Sequence, residues 1–143
     1  MTATYDPNRV ALIVRSVPII GFGDGSSITV TADSDNYSTQ YGTTGLYVRS
    51  KQLQRGGVLT FSLLPNSPSN IFLSNLLVED ETLNTGICPI LIKDGSNAGT
   101  LVTGVGWVNR KPDLNLAMGG DTAMREWTLQ LGTYTQFLSG IGV

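Results

Sequence analysis

The chain has 143 residues, of which 41% are hydrophobic and only 14% are charged, and its net charge at pH 7 is −2. This length is typical of one domain with one core, and a soluble domain averages about 25% charged residues. The charge balance offers no positive surface for gripping phosphates, which disfavours a nucleic-acid-binding protein. The sparse charge suits a protein whose faces are covered by copies of itself, and it equally suits a secreted β-domain.

The lone cysteine and the amino terminus bear on the compartment. Cys88 has no partner for an internal disulfide, and its setting in ICPIL predicts a buried, unreactive thiol. The opening MTATYDPNRV lacks a signal-peptide pattern, and no apolar run reaches membrane-spanning length. We therefore expect synthesis in the cytoplasm and no membrane insertion.

Three strands are predicted in the first half of the chain. The apolar run Val10–Ile20 is typical of one buried strand, and GFGDGS after it is typical of a glycine turn. From Ser26, SSITVTAD alternates, with Ile28 and Val30 on the inner side. The stretch VLTFSLL alternates again, and its predicted inner residues are Leu59, Phe61 and Leu63.

One helix is predicted over about residues 68–80. Ser67 is the N-cap candidate, and Pro68 suits the first helical position. Apolar residues four apart then give the helix one buried side, formed by the pairs Phe72/Leu76 and Leu73/Leu77.

The second half predicts a hairpin and a closing strand. Strands at Ile87–Lys93 and Thr100–Val108 flank the turn-forming DGSNAG. After the loop NRKPDLNLAMGGD, the strand TAMREWTLQLGTY turns Trp127, Leu129 and Leu131 to one side. Both tryptophans, Trp107 and Trp127, are predicted to face the core.

No catalytic, metal or cofactor site is predicted. The sequence has no histidine, which excludes a Ser-His-Asp or Cys-His centre and histidine-ligated metals. GFGDGS precedes a strand, whereas phosphate cradling needs a helix N-terminus. DSDNYS starts like a calcium loop, but Ser38 replaces the required glycine and Thr44 the closing glutamate. An enzyme would need a carboxylate pair, which cannot be placed from the sequence.

Small neutral polar residues recur on the outer side of three predicted strands, at Thr29/Thr31, Thr60/Ser62 and Thr128/Gln130. The charges on those sides, Asp33 and Glu126, are acidic. Two interpretations stay open: the solvated side of a half-exposed sheet, and a surface kept smooth and non-adhesive.

The connection from Asp33 to Gly57 is far longer than the roughly two to five residues that usually join consecutive strands. Its second half, LYVRSKQLQ, alternates as a strand could, and tyrosine and arginine are residues that anchor protein interfaces. A mobile surface loop and a projecting hairpin arm are both open, and the composition favours the arm. Its interface candidates are Tyr37, Tyr41, Tyr47, Arg49, Lys51 and Arg55.

Four segments in order, PIIGFGDGSSITVTADSD, RGGVLTFSLLPNSPSN, CPILIKDGSNAGTL and KPDLNLAMGGDTAMREWTLQL, resemble the tail tube proteins of contractile-tailed bacteriophages. The shared features are G-x-x-D-G before a strand, T-x-x-L-x-x-x-S-x-S-N at the helix entry, and a closing R-E-W strand. The resemblance covers nearly the whole chain.

The resemblance implies a mainly β domain over residues 1–143, a β-sandwich or barrel of six to seven strands with one flanking helix, and residues 33–57 as an inter-subunit arm. Such proteins stack as hexameric rings into a hollow tube. DNA passes through the lumen without specific binding, and sheath, baseplate or initiator, and tail terminator proteins are the further partners. The implied location is the virion tail, assembled in the host cytoplasm. The implied lumen residues are Thr29, Thr31, Asp33, Thr60, Ser62, Glu126, Thr128 and Gln130.

Two other functions remain open from the residues alone. A secretion-system tube ring would share the fold and deliver effectors instead of DNA. A soluble β-sandwich binding module would need an exposed aromatic platform.

Overall fold

The structure is a computed structural model that describes residues 10–23, 28–94, 101–114, 116 and 123–138. Its elements, in chain order, are β1 (Val10–Val14), β2 (Val17–Pro18), β3 (Thr29–Ala32), β4 (Tyr37–Tyr41), β5 (Tyr47–Lys51), β6 (Gly57–Leu63), α1 (Ser69–Leu83), β7 (Cys88–Asp94), β8 (Leu101–Arg110) and β9 (Arg125–Phe137).

Seven of these strands form one antiparallel sheet in the order β2-β1-β7-β8-β9-β6-β3, and β4 pairs with β5 as a separate hairpin. The predicted fold class, mainly β with one flanking helix and a long hairpin arm, is confirmed. Within the described residues the sheet does not close into a barrel, because β2 and β3 remain as its two edges.

The long β8–β9 ladder divides the sheet into two halves. β7 pairs with β8 only from Leu101 to Gly106, whereas β6 pairs with β9 only from Arg125 to Leu131. Of those β9 residues, 128–131 lie opposite the other end of β8, beyond a register shift at Val105/Gly106. We call β3, β6 and the adjoining ends of β8 and β9 the β6 half, and β2, β1, β7 with the remaining ends the β7 half.

One side of the sheet carries the core. Every second residue is buried throughout β6 and over 127–131 of β9, which confirms the predicted inner positions. Leu73 and Leu76 of α1 cover this side, with Phe72 and Leu77 packed against it. Burying one such side chain contributes roughly 1.5–3 kcal/mol. The fully buried members include Leu12, Val14, Leu59, Phe61, Leu63, Leu73, Leu129 and Leu131.

The predicted single strand over Val10–Ile20 is wrong, because the chain reverses within it. Arg15 and Ser16 both have positive φ, 53° and 65°, and Val14 pairs with Val17 across them. Two consecutive positive φ values are what a two-residue hairpin turn of type I′ requires. Such turns favour Asn-Gly, so Arg-Ser gives no sequence signal for this one.

The helix entry is held by two serines. The Ser67 hydroxyl accepts a hydrogen bond from the Ser69 N–H at 3.2 Å and donates to the Ile20 carbonyl, while the Ile20 N–H donates to the Ser69 hydroxyl at 2.9 Å. The helix starts at Ser69, close to the predicted position. It extends past the predicted end, to Leu83, because Asn84 adopts the left-handed conformation and its N–H bonds the Asp80 carbonyl.

Several predicted features fall outside the described residues. They are the start of the strand at Ser26, most of the DGSNAG turn and much of the loop before β9. Within the described ranges, no helix is both long and apolar enough to cross a membrane.

Candidate functional site: a polar sheet face and a hairpin arm

The side of the β6 half opposite the core brings the predicted lumen residues together. Thr29 lies opposite Thr60, and Thr60 lies opposite Thr128, so three hydroxyls form one row across β3, β6 and β9. Cross-strand partners project from the same side of a sheet, with Cβ atoms roughly 4.5–5.5 Å apart. Parallel rows hold the pair Ser62/Glu126 and the set Thr31, Val58 and Gln130. We call this surface the polar face.

Gln130 connects the polar face to both ends of the 33–57 excursion. Its Nε2 donates to the Asp33 carboxylate at 2.8 Å and to the Gly57 carbonyl at 3.0 Å. The Asp33 N–H donates in turn to the Gly56 carbonyl at 3.1 Å, which continues the β3–β6 ladder by one step. These bonds hold the beginning and the end of the 33–57 excursion together at the edge of the polar face.

The polar face carries few charges, and acidic groups outnumber basic ones. Asp33 and Glu126 are its predicted carboxylates, and the register adds Arg110, which lies opposite Thr128. The Arg110 guanidinium is 3.6 Å from the Asp113 carboxylate, with both groups largely exposed. The sequence analysis missed Arg110 because a register shift after Val108 changes the side on which it lies.

Trp127 faces the core as predicted, but the same prediction for Trp107 is wrong. Trp107 lies opposite Gln130 and therefore projects from the polar-face side, half-buried. Its ring lies over Gly132, where an added Cβ would come within 3.2 Å of it. In VTGVGWV, both sets of alternate residues contain apolar side chains, so the sequence does not say which set faces the core. The close approach of β9 decides the phase, because Gly104 and Gly106 take the inner positions.

The excursion between β3 and β6 is a hairpin, and five of the six predicted interface residues share one of its sides. Tyr37 lies opposite Lys51, Thr39 opposite Arg49, and Tyr41 opposite Tyr47. The other side carries Ser38, Gln40, Val48 and Ser50. At the tip, Gly45 has a φ of 90°, and the Gly42 N–H bonds the Leu46 carbonyl at 2.7 Å. We call β4, β5 and this tip the arm.

Aromatic contacts order the arm although every residue of its strands is exposed. The Arg49 guanidinium lies 4.3 Å from the centre of the Tyr37 ring, and the Tyr41 and Tyr47 rings are 6.1 Å apart. An exposed cation–π contact contributes about 0.5–1 kcal/mol. The arm is thus a preformed surface with its large side chains unburied.

Arg55, the sixth interface candidate, lies in the return segment beyond the arm. It is half-buried, and its carbonyl accepts the Tyr134 N–H at 3.0 Å. Its Nη1 is buried and has no hydrogen-bond partner among the residues that the structure describes. The structure therefore separates Arg55 from the five residues that share the arm's side.

The titrating groups of the described residues form no reactive centre. The Arg15 guanidinium donates to both carboxylate oxygens of Glu79, at 3.0 and 3.3 Å, and this pairing, with the Thr85 hydroxyl, lowers the pKa of Glu79. Burial raises the pKa of the Cys88 thiol, which keeps it protonated. Across the described ranges, no three Cys, Asp or Glu side chains converge to hold a metal ion.

Solved chains from contractile injection systems have a fold similar to this one. The chain superposes with a TM-score of 0.57 and 15% identity on a chain from the PVC sheath–tube complex of an extracellular contractile injection system in the extended state, covering 94% of this chain and 92% of that one. The cap of the anti-feeding prophage, a tube-terminating cap, gives 0.58 and 12%, covering 97% and 94%.

A third structure, the PVC sheath/tube terminator in the extended state, gives a TM-score of 0.57 and 14% identity, covering 94% of this chain and 96% of that one. No protein-family model and no curated protein matches the sequence. The predicted likeness to contractile-tail tube proteins is thus confirmed at the level of fold.

Proposed function

We propose that this chain is a structural tube protein that assembles into stacked hexameric rings, with the polar face lining the channel and the arm joining one ring to the next. The observation that carries the proposal is the polar face itself. The chain has a fold similar to that of a contractile injection system. On the side of its sheet opposite the core, it presents a row of aligned hydroxyls from Thr29, Thr60 and Thr128.

Open strand edges support ring formation. Within the described residues, β3 pairs only with β6, and residues 107–110 of β8 pair only with β9. The β6 half is therefore four strands wide with an unpaired edge on each side. Pairing β3 of one copy with β8 of the next is a head-to-tail contact, which closes a ring when the rotation permits and removes both edges.

The chemistry of the polar face suits a channel through which DNA moves. Threonine, serine and glutamine offer no positive charge to hold phosphates, and the two carboxylates repel them weakly. Arg110, the cation that the described strand pairs place on this face, has Asp113 beside it. On this proposal the chain is a non-catalytic virion tail component, and its partners are sheath, initiator and terminator proteins.

A second candidate is a tube that delivers a cargo other than DNA. The solved structures with this fold are described as extracellular contractile injection systems and an anti-feeding prophage, which favours that alternative. Particles containing this chain would decide between the two. A DNA-filled head attached to the tube supports the phage role, and headless particles free of nucleic acid support the injection system.

The proposal is tested by expressing the chain alone and imaging it by negative-stain electron microscopy beside a sizing column. Rings or hollow rods are expected, and a monomer at every concentration tried contradicts self-assembly. Removing Tyr37–Lys51 and joining the flanks through two glycines should abolish stacking and preserve the fold, because Gln52 N–H already bonds the Asn36 carbonyl at 2.9 Å. Ser38→Ala/Ser50→Ala, on the arm's other side, is the matched control, and full-length tubes from the deletion would refute the role of the arm.

A further inference from the structure

The two open edges of the β6 half carry opposite charges on the polar face. At the β3 edge, Asp33 continues the series of polar-face residues that begins with Thr29. At the other edge, Arg110 of β8 lies opposite Thr128. Both charged side chains are exposed, and within the described part of the chain no cation pairs with Asp33. Arg110 has the exposed contact with Asp113, which is of a kind that contributes little to stability.

The hydrogen bonds of β3 establish how the strands follow one another across the polar face. The Asp33 N–H bonds the Gly56 carbonyl, so the residues of β3 with polar-face side chains direct their N–H and C=O groups towards β6. For L-residues on an upward strand with the side chain towards the viewer, these groups point to the right. Seen from the polar face with β3 running upward, the order from left to right is therefore β3, β6, β9 and β8.

The tilt of strands in a closed ring sets the register at the junction between copies. In a β-barrel the strands tilt by about 35–45°, so a row of paired residues reaches the next equivalent strand displaced along it. Each copy contributes four strands, roughly 4.8 Å apart, with a rise of about 3.4 Å per residue. An offset of four residues per copy then gives a tilt of about 35°, whereas two give about 20° and six about 47°. Odd offsets are excluded because they would turn the core side of a strand towards the channel.

The direction of this offset follows from the handedness of strands. Because strands twist with a fixed right hand, those of a closed barrel rise to the right when it is viewed from outside. With the polar face inside, the outside view shows β8 on the left and β3 on the right, and a row perpendicular to the strands climbs from β3 to β8. The row that starts at Thr29 and ends at Arg110 therefore meets β3 of the neighbouring copy four residues further on, at Asp33.

The same register gives residues 111–114 a partner. They follow β8 directly and belong to no strand in the structure. With Asp33 opposite Arg110, they lie beside β3 of the neighbour, and alternation directs the N–H groups of Lys111 and Asp113 towards it. Pro112 has no N–H, but its position in the alternation faces its own sheet, so the junction loses no hydrogen bond there.

We infer that Arg110 of one copy pairs with Asp33 of its neighbour where β8 and β3 meet within each ring. This inference rests on the proposed tube and names the residues that fix the register between its subunits. The N–H and C=O groups of Asp33 and Arg110 point back into their own sheets, so the two residues form a non-hydrogen-bonded pair, in which side chains lie closest. Gln130 donates to Oδ2 of Asp33 and holds this carboxylate at the edge.

A charge exchange tests the pair. Asp33→Lys and Arg110→Glu should each weaken ring formation by up to about fivefold per contact, and one contact per copy compounds the loss around the ring. The double variant should restore rings, measured on a sizing column and by negative-stain electron microscopy at low salt. Asp33→Asn keeps an acceptor for Gln130 and should weaken rings through the lost charge alone. Glu81→Lys and Lys93→Glu, matched charge changes at other exposed positions, should form rings normally, and thermal melts establish that each variant is folded.

Disulfide formation measures the register directly. Arg110→Cys with Asp33→Cys should give a ladder of covalent oligomers on oxidation, because a non-hydrogen-bonded pair lies within disulfide range. Arg110→Cys combined with Thr29→Cys or Thr31→Cys, on the same side of β3, should give no ladder, and the native Cys88 is 2% exposed and will not interfere. A ladder from either of those pairs, or wild-type rings with neither rescue nor a ladder, would overturn this register and leave the tube standing. A wild-type chain that forms no rings or tubes would overturn both.

Discussion

Replacing Asn70 by Ala should destabilise the fold, because it removes the hydrogen-bond acceptor of Trp127 on β9. The Trp127 indole N–H donates to the Asn70 side-chain carbonyl at 2.9 Å, and Trp127 is 2% exposed. Without the acceptor, a buried donor loses its hydrogen bond, which costs about 1–3 kcal/mol of unfolding free energy. The second bond of Asn70, from Nδ2 to the Leu64 carbonyl, is exposed, so water can replace it at little cost.

Urea denaturation should measure this loss, at concentrations below those that give rings. For a chain of this size, the melting temperature should fall by roughly 3–10 °C. Ser74→Ala, at an exposed position of the same helix, is the control and should change stability by less than about 0.5 kcal/mol. A double-mutant cycle with Trp127→Phe should give a coupling of about 1 kcal/mol. The reasoning fails if Asn70→Ala matches the control or if the two substitutions are additive.

Three further predictions concern the face, the ion pair and one glycine. Thr60→Lys with Thr128→Lys places cations on the polar face, and should impair DNA passage while rings still form; normal infectivity of a phage carrying both would contradict the lumen assignment. The pairing with Arg15 lowers the pKa of Glu79 from 4.5, so the pair stabilises the fold above about pH 4.5 and this stabilisation is lost as the pH falls through the folded-state pKa. The difference in melting temperature between wild type and Arg15→Ala should therefore disappear at acid pH. Gly21→Ala should lower the melting temperature, because the φ of Gly21 is 84° and an added Cβ would lie 2.5 Å from the Ser67 hydroxyl oxygen. An unchanged melting temperature would contradict this and show that the segment relaxes without cost.

Local patterns were sufficient for much of this molecule. Alternation in VLTFSLL and REWTLQL identified which residues of β6 and β9 face the core, since side chains on a strand alternate with a period of two. Ser67 and Pro68 located the helix entry, and the tyrosine-rich excursion indicated the arm. The arm's shared side also follows from alternation once the two strands pair around a five-residue tip.

Other features depended on contacts between distant segments. Alternation within β8 allowed Trp107 on either side, and only the approach of β9 to Gly104 and Gly106 decided it. The reversal at Arg15 and Ser16 has no turn signature, and it persists because the flanking strand packs on β7 and the Arg15 side chain pairs with Glu79.

The sequence by itself determined most of the elements and their buried sides, and it indicated a sparsely charged outer surface and a projecting hairpin. Tertiary structure alone decided that Thr29, Thr60 and Thr128 fall in one row and that Arg110 joins them. Periodicity is a property of one strand, whereas strand order and register arise from pairing between residues as far apart in sequence as Thr29 and Thr128. For that reason the residues of the proposed channel could be named from the sequence, but their alignment required the fold.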